Sequence, residues 1–263
     1  MMPDRIALNL ISLGPADFDA RLYAAATAGF AAVGLVWEEI AASPERAAQE
    51  IRLADLAVAE VTGIPNWTES NPTAHSLAMV QAEALFEMAA DLDCSVVVAD
   101  PPVEGVEVLP AATAFGDLCR LADRFKVRVG LEFLGPAHSV STFASAWQIV
   151  ELADMSNGGL VLDTFHFHRS GCTLEMLESV PAEKVFLVQV SDSVDLPLRE
   201  LEDRHRVYPG SGVIPLDQLL AALDGKGYSG YYSLELHNEG YWEEDPLVVA
   251  REGLRAMHRL DIT

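Results

Sequence analysis

The chain has 263 residues, half of them hydrophobic, which is enough for a full core and matches one α/β barrel better than two domains. Seventeen lysines and arginines stand against 40 aspartates and glutamates, a formal charge of −23. So acidic a surface repels nucleic-acid phosphates and anionic lipid headgroups, which argues against both as partners and for a small-molecule substrate. The three cysteines, Cys94, Cys119 and Cys172, follow no zinc-binding spacing and read as reduced thiols of a cytoplasmic protein. The N-terminal stretch MMPDRIALNLISLG has too short an apolar run for a secretory signal. No segment approaches the ~20 apolar residues of a membrane span. The composition leaves oligomeric state open, a homo-oligomer included.

In chain order, the first predicted strand is IALNLIS (6–12), followed by the helix DFDARLYAAATAGF (17–30). AVGLVWE (32–38) is the second strand. The helix SPERAAQEIRLADLA (43–57) opens on a serine cap and a first-turn proline. AVAEVTG (57–63) precedes the long helix AHSLAMVQAEALFEMAADL (74–92), and SVVVADP (95–101) and VRVGLEFL (127–134) are the next strands. GLVLDTF (159–165), VFLVQVSD (185–192) and YYSLELHN (231–238) complete a set of eight, with PLDQLLAALDGKGY (215–228) a helix ending at glycine. Strand then helix, eight times over, predicts a single-domain (β/α)8 TIM barrel of the α/β class spanning 1–263. An open doubly wound sheet is the alternative, but no strand is followed by a GxGxxG or GKS/T loop.

Active sites of such barrels lie at the C-terminal ends of the strands. Four late strands each carry one metal-capable side chain near that end: Glu132, Asp163, Gln189 and Glu235. Two residues earlier, on the same face, stand Gly130, Val161, Leu187 and Ser233, while the intervening positions are bulky and apolar. The alternation turns all four polar groups into the barrel mouth. Three carboxylates there would repel by ~4 kcal/mol per close pair at an effective dielectric near 20. One divalent cation resolves that, and an all-oxygen ligand set favours Mn2+ or Mg2+ over Zn2+. Scattered acids capping the next helices are the alternative.

His166, just past Asp163, reads as a group supporting the ligands, a substrate hydrogen-bonder or an acid/base. His168 is a further substrate-binding candidate, and Arg169 in the same loop could bind an anion. The long connection 193–214 holds Arg204, His205 and Arg206, a basic cluster suited to a carboxylate or phosphate. Salt bridging to Glu200, Glu202 and Asp203 competes with that role. Glu60 lies within the third strand with an unreadable facing, and Asp100 before its Pro-Pro turn reads as shaping a loop.

GLEFLG, VLDTFHFHRSG, VQVSDS, RVYPGSG and GYYSLELHN, in that order and spacing, resemble the xylose isomerase-like TIM-barrel superfamily of sugar isomerases and epimerases. The likeness covers roughly 127–240 and extends loosely to AGFAAVGLVWEE in the first half. It implies a divalent metal on Glu132, Asp163, Gln189 and Glu235, with Glu132 and Glu235 also removing and returning the substrate proton. It implies substrate contacts from His166 and Arg206. Gln189 departs from the family, where many epimerases carry histidine, and is similar to the 3-dehydroshikimate dehydratase branch. The expectation is a metal-dependent isomerase or epimerase of a sugar or related polyhydroxy carbonyl compound, working through an enediolate-type proton transfer. A dehydratase-like lyase, with His166 assisting loss of hydroxide, and a barrel that binds but does not catalyse are the alternatives.

Overall fold

The computed structural model describes residues 5–64, 66–102, 105–135 and 139–260. The ends of the expected domain span, 1–4 and 261–263, lie outside the described residues. Each of the eight apolar runs overlaps a barrel strand: Ile6–Asn9, Ala32–Val36, Ala57–Ile64, Val96–Ala99, Arg128–Leu131, Gly158–Asp163, Val185–Val190 and Tyr231–Leu234. They are numbered first to eighth below. Neighbours pair in parallel, and Ile6 pairs with Tyr232 of the eighth strand, closing the barrel as expected.

Except at the third strand, whose ladder runs on to Ile64, the apolar runs outlast the ladders at their C-terminal ends. Residues 10–12 belong to the turn Leu10–Leu13 and Trp37 opens the short helix Trp37–Ile40. Thr164 and Phe165 likewise start the helix Thr164–Arg169. A parallel strand must turn away to feed its helix, yet residues in the turn still pack on the core, so hydrophobicity does not mark where hydrogen bonding stops.

The outer helices keep the local signals of their sequence. Phe18–Ala28 ends at Gly29, whose φ of 105° is left-handed. Pro72–Asp91 is capped by Asn71, whose side chain accepts from the amides of Thr73 and Ala74. Ser43 occupies the cap position of Pro44–Leu53, but its hydroxyl makes no cap bond. That helix is shorter than expected, because Asp55 takes a left-handed turn (φ 55°) before the third strand.

Alternation along the strands separates two cores. Leu160, Leu162, Val188, Val190 and Leu234 join the large cluster between strands and helices. Val161 and Leu187 pack instead with Val96 and Val98, and Ala7, Ala32 and Ala59 form a small group of their own. The second set lines the barrel interior, the face that carries the polar residues further up. No described helix is long and apolar enough to cross a membrane.

Candidate active site

Asp163, Gln189 and Ser233 lie side by side in register on the sixth, seventh and eighth strands. Glu132 and Glu235 each follow the last ladder residue of their strand by one. Asp163 and Gln189 are fully buried and both glutamates nearly so. Above them opens a cavity of about 290 Å³ whose wall includes Glu132, His166, Arg169, Asp203, Arg206 and Glu235.

The carboxylate-rich wall is charged unevenly. Burial pushes Asp163 up, but the Arg206 guanidinium and the backbone amide of His166 more than offset it, holding Asp163 at about 2. Its Oδ1 accepts from that amide at 2.8 Å and its Oδ2 from Arg206 Nη1 at 2.6 Å. At Glu132 the same guanidinium pulls the pKa down but does not prevail. Burial, with Glu235, Asp163 and Asp100 nearby, raises its pKa well above the carboxylate range. Burial lowers His166 to about 4, so its imidazole is neutral at neutral pH. Its Nε2 lies 3.1 Å from Arg206 Nη2, and its Nδ1 is buried without a partner.

The donor set fits a divalent cation. Gln189 Nε2 donates to Glu235 Oε1 at 3.0 Å, which leaves Gln189 Oε1 buried with no hydrogen bond. A buried carbonyl oxygen without a donor, beside the Glu235 carboxylate, is an atom that a divalent cation would satisfy. Ligand atoms of Glu132, Asp163 and His166 lie within 4.8 Å of one another, a group that holds two of the three expected carboxylate ligands together with the imidazole and does not include Glu235.

Arg206 reaches the cavity, but its guanidinium is fully engaged: besides Asp163 it donates to Ser191 Oγ and, from Nε and Nη2, to Asp203 Oδ1 at 3.3 Å. His205 does not line the cavity. In the tight turn Asp203–His205 its side chain folds back, and Nδ1 accepts the amide of Glu202 at 3.0 Å. Arg204 is taken up by Glu202. His168 shares the short helix of His166 without lining the cavity.

Several residues of the site lay outside the sequence expectation. Asp100, read there as a loop former, lines the cavity and is raised to about 6 by burial and by Glu38 and Glu235. His237 lines it too, its Nε2 3.8 Å from Glu235 Oε1. Asn9 donates from Nδ2 to both Glu60 Oε1 and Glu235 Oε1. A polar residue breaking the apolar run IALNLIS is the same signal that singled out Gln189.

The family described as "Xylose isomerase-like TIM barrel" matches residues 22–260. The chain belongs to that family. An inosose isomerase of Halalkalibacterium halodurans is 38% identical over 172 residues, 63% of this chain. The match spans only 61% of that relative's length. A 3-dehydroshikimate dehydratase of Pseudomonas aeruginosa is 34% identical over 69% of this chain and 29% of its own. Among solved structures, the IolI protein with a bound zinc atom superposes with a TM-score of 0.89 at 25% identity, covering 97% of this chain and 96% of that one. The family membership thus rests on nearly the whole barrel, including every residue of the cavity wall named above.

Proposed function

We propose that the protein is a divalent-metal-dependent isomerase or epimerase acting on a sugar or related polyhydroxy carbonyl compound, with inososes the first candidates from its relatives. The observation that carries this reading is Glu132 and Glu235, on strand ends separated by two others, facing one cavity beside the unpartnered oxygen of Gln189. Glu132, Asp163, Gln189 and Glu235 would hold the ion, and the mainly oxygen donor set favours Mn2+ or Mg2+. A bound divalent ion supplies a Lewis acid that acidifies the C–H next to a substrate carbonyl.

The protein's own groups do the rest. Glu235, its Oε1 held by Asn9 and Gln189, presents Oε2 to accept the substrate proton. Glu132, facing the same cavity from the fifth strand, is the second acid/base group, which returns a proton to the other carbon or face. Neutral His166 offers its unpartnered Nδ1 to a substrate hydroxyl. The strongly acidic surface and three free cysteines support a cytoplasmic enzyme with a small-molecule substrate and neither nucleic acid nor membrane as partner.

The decisive variant is Glu235→Gln. With Mn2+ and an inosose in deuterated water, wild type should exchange the C–H beside the carbonyl, and the variant should lose at least about 10²-fold of that rate. Its circular dichroism should be unchanged. Exchange at the wild-type rate in a folded variant would remove the assignment. Gln189 and the dehydratase relative favour a second reading, a lyase that loses the β-hydroxyl with His166 as acid. Incubation with 3-dehydroshikimate decides it, since only the dehydratase makes a near-ultraviolet-absorbing aromatic product.

A further inference from the structure

The cavity wall holds two arginines with opposite surroundings. Arg206 faces Asp163 at 2.6 Å and Asp203 at 3.3 Å, so its charge is balanced within the protein. Arg169, the last residue of the helix Thr164–Arg169, forms no ion pair and no hydrogen bond among the described residues. Its Nε is buried and lacks an acceptor. Arg128 is also half-buried without a carboxylate but donates to Ser95 Oγ, whereas Arg169 has no acceptor among the described residues, which folding alone does not explain.

Its stem is also closely packed. A Cβ on Gly135 would stand 3.0 Å from Arg169 Cδ and 3.2 Å from its Nε, so the bare backbone after the fifth strand presses on the side-chain stem. The guanidinium stands on the cavity wall with His166, its fork of N–H groups suited to a planar or tetrahedral anion. Solvent is a poor partner for an Nε that is already buried.

We infer that Arg169 is the specificity determinant for an anionic group on the substrate, so that the preferred substrate is a polyhydroxy carbonyl compound bearing a carboxylate or phosphate. This deepens the isomerase reading and rests on it for the identity of the cavity.

The test compares three ligands that differ only at C6: glucose, glucuronate and glucose 6-phosphate. Each is titrated calorimetrically into the Mn2+-loaded full chain. Wild type should bind one or both anionic compounds at least tenfold more tightly than glucose, and the better of the two names the group as carboxylate or phosphate. Arg169→Gln should reduce the preference below twofold, and Arg169→Lys, which keeps the charge without the fork, should retain part of it. The ligand-free melting temperature of Arg169→Gln should equal or exceed that of wild type, because the site is built for a ligand rather than for stability. Anionic compounds binding no better than glucose would overturn the inference. So would a preference that survives Arg169→Gln, which would point to the metal instead, or a fall of more than about 5 °C in that variant's melting temperature. The affinity ratio does not involve turnover, so loss of the catalytic reading, seen as unimpaired exchange in Glu235→Gln, is recognised separately.

Discussion

Asn9 joins two carboxylates that are far apart in sequence. Its Nδ2 donates to Glu60 Oε1 at 3.1 Å and to Glu235 Oε1 at 2.9 Å, while its Oδ1 accepts from the amide of Ile11 at 3.2 Å. With Gln189 on the same Glu235 oxygen, the carboxylate of Glu235 cannot rotate freely, and Oε2 stays toward Arg206 at 3.8 Å. Replacing Asn9 by leucine removes the donor of two buried oxygens, at a cost of about 2–4 kcal/mol in stability. It should also lower kcat roughly 10- to 100-fold with a much smaller change in KM, because the base loses its aim rather than its contact with substrate. Steady-state kinetics beside a thermal melt separate the two effects, and an unchanged kcat would show that Gln189 alone orients Glu235. The signal for Asn9 was present in the sequence, but its partner was not, because the first and eighth strands meet only through barrel closure. Glu60 was unreadable for a different reason. The pairing of the second and third strands passes from Val33↔Val58 to Gly34↔Glu60, a bulge that breaks the two-residue alternation on which facing is judged. Gly34 then makes room: a Cβ there would lie 2.0 Å from Glu60 Oε1.

The connection after the seventh strand is held by a single carboxylate. Asp192 Oδ1 accepts the amides of Ser193 and Ile214, and Oδ2 those of Gly210 and Gly212. A Cβ on Gly212 would stand 2.1 Å from the Ser193 carbonyl oxygen, so the chain can approach Asp192 this closely only at glycine. Asp192–Ser193 also pairs antiparallel with Arg206–Val207, which carries Arg206 over the cavity. Asp192→Asn puts an NH2 group against two N–H donors. It should cost about 2–4 kcal/mol and expose 194–213 to limited proteolysis, with the barrel helices still protected. Uniform protection would mean that the ribbon, not Asp192, holds the loop. At this scale the sequence was informative about where strands begin, since β-branched runs open close to the observed ladders. It was informative about the facing of Asp163 and Gln189 because their ladder is regular beyond its register shift at Leu160/Val161, and about Glu132 and Glu235 because the fifth and eighth strands pair with no shift. It misplaced His205 because a one-residue difference inside an irregular turn decides which of two neighbouring basic side chains points inward, and no periodicity governs such a turn.

Across the whole molecule, burial of acids makes stability depend on pH in a definite direction. Glu60 is sealed in the barrel beneath the site, and burial raises it from 4.5 to about 8 despite hydrogen bonds from Ser233 and Asn9. Below pH 4.5 it is protonated both folded and unfolded, and its contribution is complete. Between 4.5 and about 8 the unfolded chain gives up the proton and the folded chain keeps it. The folded state therefore loses up to about 1.4 kcal/mol per pH unit across that window. Glu132, also raised, adds to the loss in the absence of an ion. Asp163, held at about 2, acts only in strong acid and does not enter this range. In EDTA the melting temperature should thus fall as pH rises from 5 to 8, and Glu60→Gln, which has no proton to release, should flatten the curve. A divalent ion held by the proposed ligands favours the ionised form of Glu132, and Glu60 is not among those ligands. Added Mn2+ should accordingly raise the melting temperature more at pH 8 than at pH 5, where protons compete for Glu132, and should leave the slope due to Glu60 in place. Melting curves in EDTA that stay level or rise between pH 5 and 8 would mean that Glu60 is ionised in the folded protein, with a cation or water supplied to its free Oε2.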